Sequence, residues 1–214
     1  MSRELCGHCH YPVINCVCED ITPVSHQTKV VVLQHPSEVK NAKSTVRLLS
    51  LLCNNIEVVV GEKSQDFAEL QRDVAYKPEQ YLILYPSEKS RNWQQWQAYW
   101  QQSSRPLECE LPNKPTSQKT LIVIDGTWKK AKKILFLNPW LENINALKID
   151  NKPSEYDIRH TSISGALSTI EATAYALNAI ENTSTAPFLR ALDSLKSSFT
   201  RQMPEHVKSR YKKG

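Results

Sequence analysis

Four cysteines near the N-terminus carry the first recognisable chemistry, since they lie within thirteen residues as Cys6, Cys9, Cys16 and Cys18. Four thiolates at this spacing can bind one Zn²⁺ ion tetrahedrally, and the metal then holds a segment too short to fold alone. His8 and His10 could compete as ligands, although four thiolates need neither. The alternatives are a chance thiol cluster or a redox pair. We favour structural zinc because disulfides are rare in a reducing cytoplasm.

A second group of reactive side chains follows the apolar run 121–124, which predicts a buried strand. The strand ends at Asp125, Gly126, Thr127 and Trp128, and four lysines come next: Lys129, Lys130, Lys132 and Lys133. Ligands of α/β proteins bind at such strand-to-helix turns, so we expect a site here. The alternatives are helix capping by the acid or the hydroxyl, and core packing by the tryptophan.

Polar side chains also follow two other predicted strands and open one predicted helix. His35 and Glu38 follow the apolar run 30–33, and Pro86 and Ser87 follow the run 81–85. The segment 168–171 has the spacing of a capping box, and a helix N-terminus there also favours anions. An ordinary turn histidine is the equal alternative for His35, because its position alone does not separate a ligand from a turn.

Five apolar runs predict the strands that must position these groups: 29–34, 56–60, 81–85, 121–124 and 144–149. Predicted helices alternate with them: one capped by Ser37 and ending near Leu52, and others over 67–75, 92–102, after Thr127, after Ser168 and over 188–200. This alternation indicates an α/β fold with a mainly parallel sheet. The tryptophans at 93, 96 and 100 have helical spacing, and we expect them to pack on the sheet rather than stack on bases.

Composition sets further bounds. A chain of 214 residues with 40% hydrophobic and 23% charged residues predicts one main domain, with a small appendage. The chain lacks the apolar segments of a signal peptide or a membrane span, so we expect a cytoplasmic protein. A net charge of +5 is concentrated in the lysines after Trp128 and in the tail 206–213. These patches suit a phosphate backbone, and solvated surfaces are the alternative.

Taken together, the motifs resemble the DTW-domain family, the tRNA-uridine aminocarboxypropyltransferases. Asp125, Thr127 and Trp128 match its D-x-T-W signature. The cysteine cluster, the segment 33–38, the segment 84–87, and Arg159 followed by 168–172 also match, in the family's order and over nearly the whole chain. The resemblance implies a SPOUT-like sheet with a C-terminal trefoil knot. It divides the chain into a zinc-binding module with its linker, 1–28, and a catalytic domain, 29–214.

The resemblance implies that S-adenosylmethionine donates its 3-amino-3-carboxypropyl group to N3 of a tRNA uridine, in the variable loop or the D loop, with the variable loop favoured. The catalytic residues would be Asp125 as general base, Thr127, which could bind the methionine carboxylate or the base, and Trp128, which could wall the pocket and exclude the methyl orientation. The residues expected to bind the donor are Leu84, Tyr85, Pro86, Ser87, Asp125, Gly126, Ser168, Thr169 and Glu171. The residues expected to bind tRNA are His35, Glu38, Lys129, Lys130, Lys133 and Arg159.

Two other functions remain open on the sequence. A SPOUT-type RNA methyltransferase would use the same donor with different regiochemistry, and a zinc-containing RNA-binding protein would have no activity. Arg159 could contact tRNA phosphate or the donor carboxylate, or form a structural ion pair with Asp157 or Glu155. We expect tRNA as partner, no membrane and no obligate protein partner.

Overall fold

The computed structural model describes residues 4–103, 119–149 and 167–201. These residues contain one sheet, whose strands are β1 (Lys29–Gln34), β2 (Ile56–Val60), β3 (Tyr81–Leu84), β4 (Thr120–Asp125) and β5 (Asn145–Leu147). The strand order is β2-β1-β4-β3-β5, and every neighbouring pair is parallel. The predicted α/β class with a mainly parallel sheet is confirmed.

Helices cover both faces of the sheet: α1 (Val46–Leu52), α2 (Ala68–Tyr76), α3 (Trp93–Ser103), α4 (Trp128–Leu137), α5 (Thr169–Glu181) and α6 (Ala186–Arg201). Successive side chains of a strand point to opposite faces. In β1, Val30 and Val32 therefore join a core with α1, α5 and α6. Val31 and Leu33 join a second core with α2 and α4. β4 is buried along almost its whole length, as the central strand of such a sheet must be.

The helix expected from Ser37 to Leu52 is shorter than predicted, since only Val46–Leu52 is α-helical, and a single 3-10 turn occupies Pro36–Glu38. Between these two elements, side chains rather than a helical ladder form hydrogen bonds with two of the backbone groups. The Asn41 side chain accepts a hydrogen bond from the Lys43 N–H at 3.0 Å, and the Tyr11 hydroxyl donates to the Ser44 carbonyl at 2.6 Å. Such bonds compete with the helical pattern.

The cysteine segment packs on the main core. Cys9, Tyr11 and Val17 are buried in the same cluster as β1, α1 and α6. The Asn15 amide donates to the Ser198 hydroxyl of α6 at 3.3 Å. The cysteine segment and the following domain therefore share one hydrophobic core. The domain boundary at residue 28 stays a prediction.

The tryptophans of α3 pack inward, as predicted. Trp96 is buried and donates its indole N–H to the Ala146 carbonyl at 3.0 Å, while Trp93 and Trp100 pack against the core beside it. Arg159 and the basic tail 206–213 lie outside the described residues. Among the helices that the structure describes, none has the length and apolar character needed to cross a membrane.

Candidate functional site

Asp125 lies at the carboxyl end of β4 and is fully buried. Gln34 is its register partner on β1 and donates from Nε2 to Oδ2 of Asp125 at 3.0 Å. Thr169, the first residue of α5, donates from Oγ1 to the other carboxylate oxygen, Oδ1, at 2.7 Å. Two side chains from distant parts of the chain therefore fix the orientation of this carboxylate.

The turn after Asp125 is crowded and opens α4. A Cβ on Gly126 would stand 3.1 Å from the Cβ of Lys130 and 3.7 Å from the Cβ of His35, so glycine is the residue that fits. Thr127 is exposed and its hydroxyl accepts the Lys130 N–H at 3.4 Å, so its capping role is present. This tight turn sets the direction in which Trp128 leaves the sheet.

Trp128 meets the loop that follows β3. Its ring contacts the ring of Tyr85 edge-to-face, with centroids 6.1 Å apart and planes at 62°. Burial raises the pKa of the Tyr85 hydroxyl. Pro86 and Ser87 are exposed next to this pair. Two turns predicted to bind the donor, after β3 and after β4, are thus neighbours and share an aromatic wall.

The start of α5 completes this edge of the sheet. Ser168 and Glu171 form the predicted capping box, in which Oε2 of Glu171 accepts from the Ser168 N–H at 2.7 Å and from its hydroxyl at 2.6 Å. Glu171 is fully buried. Its carboxylate caps the helix, and Thr169, the next residue after Ser168, contacts Asp125.

A second polar cluster lies at the ends of β1 and β2. The Ser37 N–H donates to Nδ1 of His35 at 3.2 Å, so Nδ1 must be the acceptor and Nε2 carries the proton of the neutral ring. Nε2 lies 2.8 Å from Oε1 of Glu62, and Lys133 Nζ lies 2.8 Å from the same oxygen. Lys133 first, and then His35, hold the pKa of Glu62 below its ordinary value.

The lysines of α4 divide into two pairs. Lys130 Nζ lies 2.7 Å from Oε1 of the buried Glu38, and Lys133 pairs with Glu62 as described above. Lys129 and Lys132 are exposed, and no described acid pairs with either. Those two are the lysines of α4 whose charge no described acid offsets.

The four N-terminal cysteines form a compact sulfur cluster, with all Sγ atoms within 4.8 Å of one another. The separations are 3.6 Å for Cys6–Cys16, 3.7 Å for Cys6–Cys18 and 3.8 Å for Cys9–Cys16. A tetrahedral Zn²⁺ with bonds of about 2.3 Å requires sulfurs about 3.8 Å apart, so these four positions fit zinc.

The backbone beside Cys6 favours its thiolate, the form that binds a metal, whereas burial opposes the thiolate of Cys18. N–H groups of Cys9 and His8 point at the Cys6 sulfur and lower the pKa of its thiol to about 6. Burial is the largest cause that raises the pKa of Cys18 to about 12. Nδ1 of His8 lies 3.5 Å from the Cys18 sulfur, outside the four-sulfur set. A cation would favour the thiolate form of all four.

Comparison with known proteins now bears on both sites, because a sequence profile of the DTW domain matches residues 3–205. The chain belongs to the DTW domain family. No solved structure matches the chain.

Three relatives of this DTW-domain chain show how far the similarity extends. tRNA-uridine aminocarboxypropyltransferase 2 of Drosophila melanogaster is 34% identical over 188 residues, which cover 84% of this chain and 68% of the relative. The Mus musculus protein of the same name is 28% identical over 200 residues, which cover 90% of this chain and 62% of the relative. tRNA-uridine aminocarboxypropyltransferase A of Arabidopsis thaliana is 25% identical over 202 residues, 84% of this chain and 73% of that one. The chain therefore spans less than two thirds of the mouse protein.

Two residues of the candidate site were absent from the predicted set. Gln34 lies inside the matched segment 33–38, and its contact with Asp125 depends on β1 and β4 being adjacent, which the sequence does not reveal. Glu62 follows β2 after one glycine, and its position beyond a strand's carboxyl end was the available signal. The structure brings Asp125, Thr169 and Gln34 together and groups His35 with Glu62, while Arg159 lies outside the described residues.

Proposed function

We propose that this chain transfers the 3-amino-3-carboxypropyl group of S-adenosylmethionine to N3 of a uridine in tRNA. The observation that carries the proposal is the similarity, over at least 84% of this chain, to three relatives named tRNA-uridine aminocarboxypropyltransferase. The buried carboxylate of Asp125, at the carboxyl end of the central strand β4, supports the proposal, since the reaction needs a group that can accept a proton.

The reaction balances as one displacement. N3 of the uridine forms a bond to the methylene carbon next to the sulfonium, and the bond between that carbon and sulfur breaks. The electron pair stays on sulfur, and 5′-methylthioadenosine leaves as a neutral thioether. The N3 proton passes to a base. Because the sulfonium is already a good leaving group, the protein supplies position and deprotonation.

Asp125 is our candidate for the base. Gln34 and Thr169 each donate one hydrogen bond to a different oxygen of its carboxylate. A carboxylate oxygen accepts more than one hydrogen bond, so lone pairs remain for the N3–H. Because the carboxylate is fully buried, this role requires the surrounding turns to open to the uridine. In this role the two partners hold the base in a single orientation, as positioning of a catalytic group requires.

We place the donor between the turns after β3 and β4 and the start of α5. Tyr85 and Trp128 offer aromatic faces, which suit an adenine ring. The N-terminus of α5 favours the donor's carboxylate. Trp128 lies where a bulky ring restricts the donor's orientation, and that orientation decides whether the methyl or the methylene carbon meets N3. The exposed Thr127 lies beside Trp128, and its hydroxyl can bind either the methionine carboxylate of the donor or the uracil base.

Three further proposals follow from family membership. The residues Cys6, Cys9, Cys16 and Cys18 hold one structural zinc ion, as their sulfur separations support. The chain has the SPOUT-like trefoil knot, for which the parallel sheet with β4 between β1 and β3 is a suitable framework. We also propose that the protein acts in the cytoplasm, with which a tRNA substrate is compatible. There we expect Lys129, Lys130, Lys133, His35 and Arg159 to meet RNA, with the buried Glu38 acting through Lys130.

Product analysis tests the proposal. Purified protein is incubated with S-adenosylmethionine and tRNA from a strain that lacks this gene. We expect release of 5′-methylthioadenosine and a nucleoside heavier by one aminocarboxypropyl group. A nucleoside heavier by one methyl group, with S-adenosylhomocysteine as co-product, would instead identify a methyltransferase. tRNA binding without either product would identify a non-catalytic RNA-binding protein.

A further inference from the structure

Phe136 breaks the pattern of the helix that carries it. It is 81% exposed. The buried residues of α4 are Ala131 and Ile134, and Phe136 lies on the opposite side. A phenylalanine on the polar face of an amphipathic helix loses apolar burial without gaining a contact inside the protein.

The side chains around Phe136 are lysines. At 3.6 residues per turn, Lys129, Lys132, Lys133 and Phe136 fall on one face of α4. All four are exposed, and the helix has no acidic residue. We call these four residues the α4 outer face. It combines an exposed aromatic ring with positive charge, and Lys129 and Lys132 have no acidic partner among the described residues.

We propose that the α4 outer face binds the RNA substrate, with Phe136 stacked on an unpaired base and Lys129 and Lys132 on the adjacent phosphates. The inference rests on the proposed function and adds a binding surface to it. Proteins that bind unpaired nucleotides combine stacking aromatics with a basic track. Protein interfaces are depleted of lysine, so charge favours a polyanion over a protein partner.

The position of Phe136 sets the footprint. It lies eight residues after Trp128, which is about 12 Å along the helix axis at 1.5 Å per residue. Stacked nucleotides advance about 3.4 Å each, so this distance corresponds to about three to four nucleotides between a base on Phe136 and one beside Trp128. That span fits a single-stranded loop, in which bases are open to stacking.

Binding of labelled bulk tRNA, measured across a salt series, tests the surface. Phe136→Leu keeps an apolar side chain but removes the ring, and we expect roughly 5- to 150-fold weaker binding, the loss of one base–aromatic stack. The salt slope should stay the same, because stacking releases no counterions. Phe136→Tyr should restore affinity.

A matched control and a second ligand isolate the stack. Tyr76 on α2 is 80% exposed, so Tyr76→Leu removes an equally open aromatic ring elsewhere and should leave affinity unchanged. A fully paired RNA duplex has no free base, so Phe136→Leu should bind it as wild type does. Lys129→Gln with Lys132→Gln should weaken binding to both RNAs and flatten the salt slope by about 2.

Any of three results would overturn the inference. Phe136→Leu could bind tRNA with unchanged affinity, or it could lose as much affinity for the duplex as for tRNA. The variant could also differ from wild type in oligomeric state, which would make this face a protein contact. Methylthioadenosine release, measured on the same preparations, separates this from the proposed function. If wild type forms product and Phe136→Leu binds tRNA with unchanged affinity, only the α4 outer face is contradicted. If Phe136→Leu selectively loses tRNA binding and wild type forms no product, only the proposed function is contradicted. A wild type that does not bind tRNA contradicts both proposals.

Discussion

The cysteine cluster and the edge around Asp125 are built in opposite ways. All four sulfurs come from positions 6–18, and local turns bring them within 4.8 Å. At the sheet edge, Gln34 and Asp125 are 91 residues apart in sequence, and Asp125 and Thr169 are 44 apart. The first site depends on spacing along the chain. The second exists only after β4 has entered between β1 and β3.

The difference teaches which changes each site tolerates. In the proposed zinc site, a cysteine substitution removes a ligand directly, and His8, whose Nδ1 lies 3.5 Å from the Cys18 sulfur, is a nearby competitor for the vacant position. A substitution beside Asp125 leaves the strands in place, because backbone pairing carries them, so its expected effect is on the proposed chemistry. We therefore expect the cysteines to affect stability first, and Asp125 to affect turnover first.

Asp125→Asn gives the largest expected effect and sharpens this contrast. The amide can accept from Gln34 and donate to the Thr169 hydroxyl, which can itself accept, so the fold should be kept. If Asp125 takes the N3 proton, turnover should fall by about a hundredfold or more. Higher pH should partly restore it as the uridine ionises unaided. Methylthioadenosine release across a pH series measures both effects.

Thr169→Val is the companion control, since it removes one hydrogen bond and leaves the carboxylate. It should reduce turnover far less than Asp125→Asn. Near wild-type turnover in Asp125→Asn would assign Asp125 a structural role, and both regions would then be scaffolds.

Cys9→Ser gives the next largest effect, on stability. Cys9 is buried in the main core, so loss of zinc should also loosen Tyr11 and α6 beside it. Each kcal/mol of lost stability lowers the Tm of a chain of this length by about 2–4 °C, so we expect a lower Tm, and elemental analysis should show less zinc. Cys53→Ser, at a buried thiol outside the cluster, should retain the metal. A wild type without metal, prepared without chelators, would contradict the assignment.

Glu62→Gln gives the smallest effect and tests whether the second polar cluster contributes charge. Because Lys133 and His35 lower the folded-state pKa of Glu62, its stabilisation is complete above its ordinary pKa. That stabilisation is lost as pH falls through the lowered value. Urea unfolding should therefore separate wild type from the variant at neutral pH and bring their midpoints together in acid.

The control for Glu62 is Glu57→Gln, which removes an exposed pair with Lys29 and should change little. Equal urea midpoints of wild type and Glu62→Gln at neutral pH would show that the cluster contributes no charge stabilisation.

Local pattern was sufficient for much of the fold. The strands at 29–34 and 56–60 match their apolar runs, and the capping box at Ser168 and Glu171 is present where its spacing indicates. The helix before Leu52 was predicted too long, because the contact of Tyr11 with Ser44 is nonlocal and no sequence period reports it.

Much of the candidate site required the topology. The sequence singled out Asp125 and Thr169 separately, but the hydrogen bond between them depends on where α5 returns to the sheet. Gln34 reads as the last residue of a strand, and its role depends on strand order. Phe136 belongs to an apolar segment in sequence, and only the orientation of α4 shows that it faces solvent.

The position of β4 also has a consequence for synthesis on the ribosome. β1 and β2 can pair early, but β3 has no sheet partner until β4 is made, because its neighbours are β4 and β5. The 41 residues from Leu84 to Asp125 take about 2–8 s at about 5–20 residues per second. For that interval the nascent chain carries an open edge on β1 and an unpaired β3, which are the surfaces that chaperones protect from aggregation.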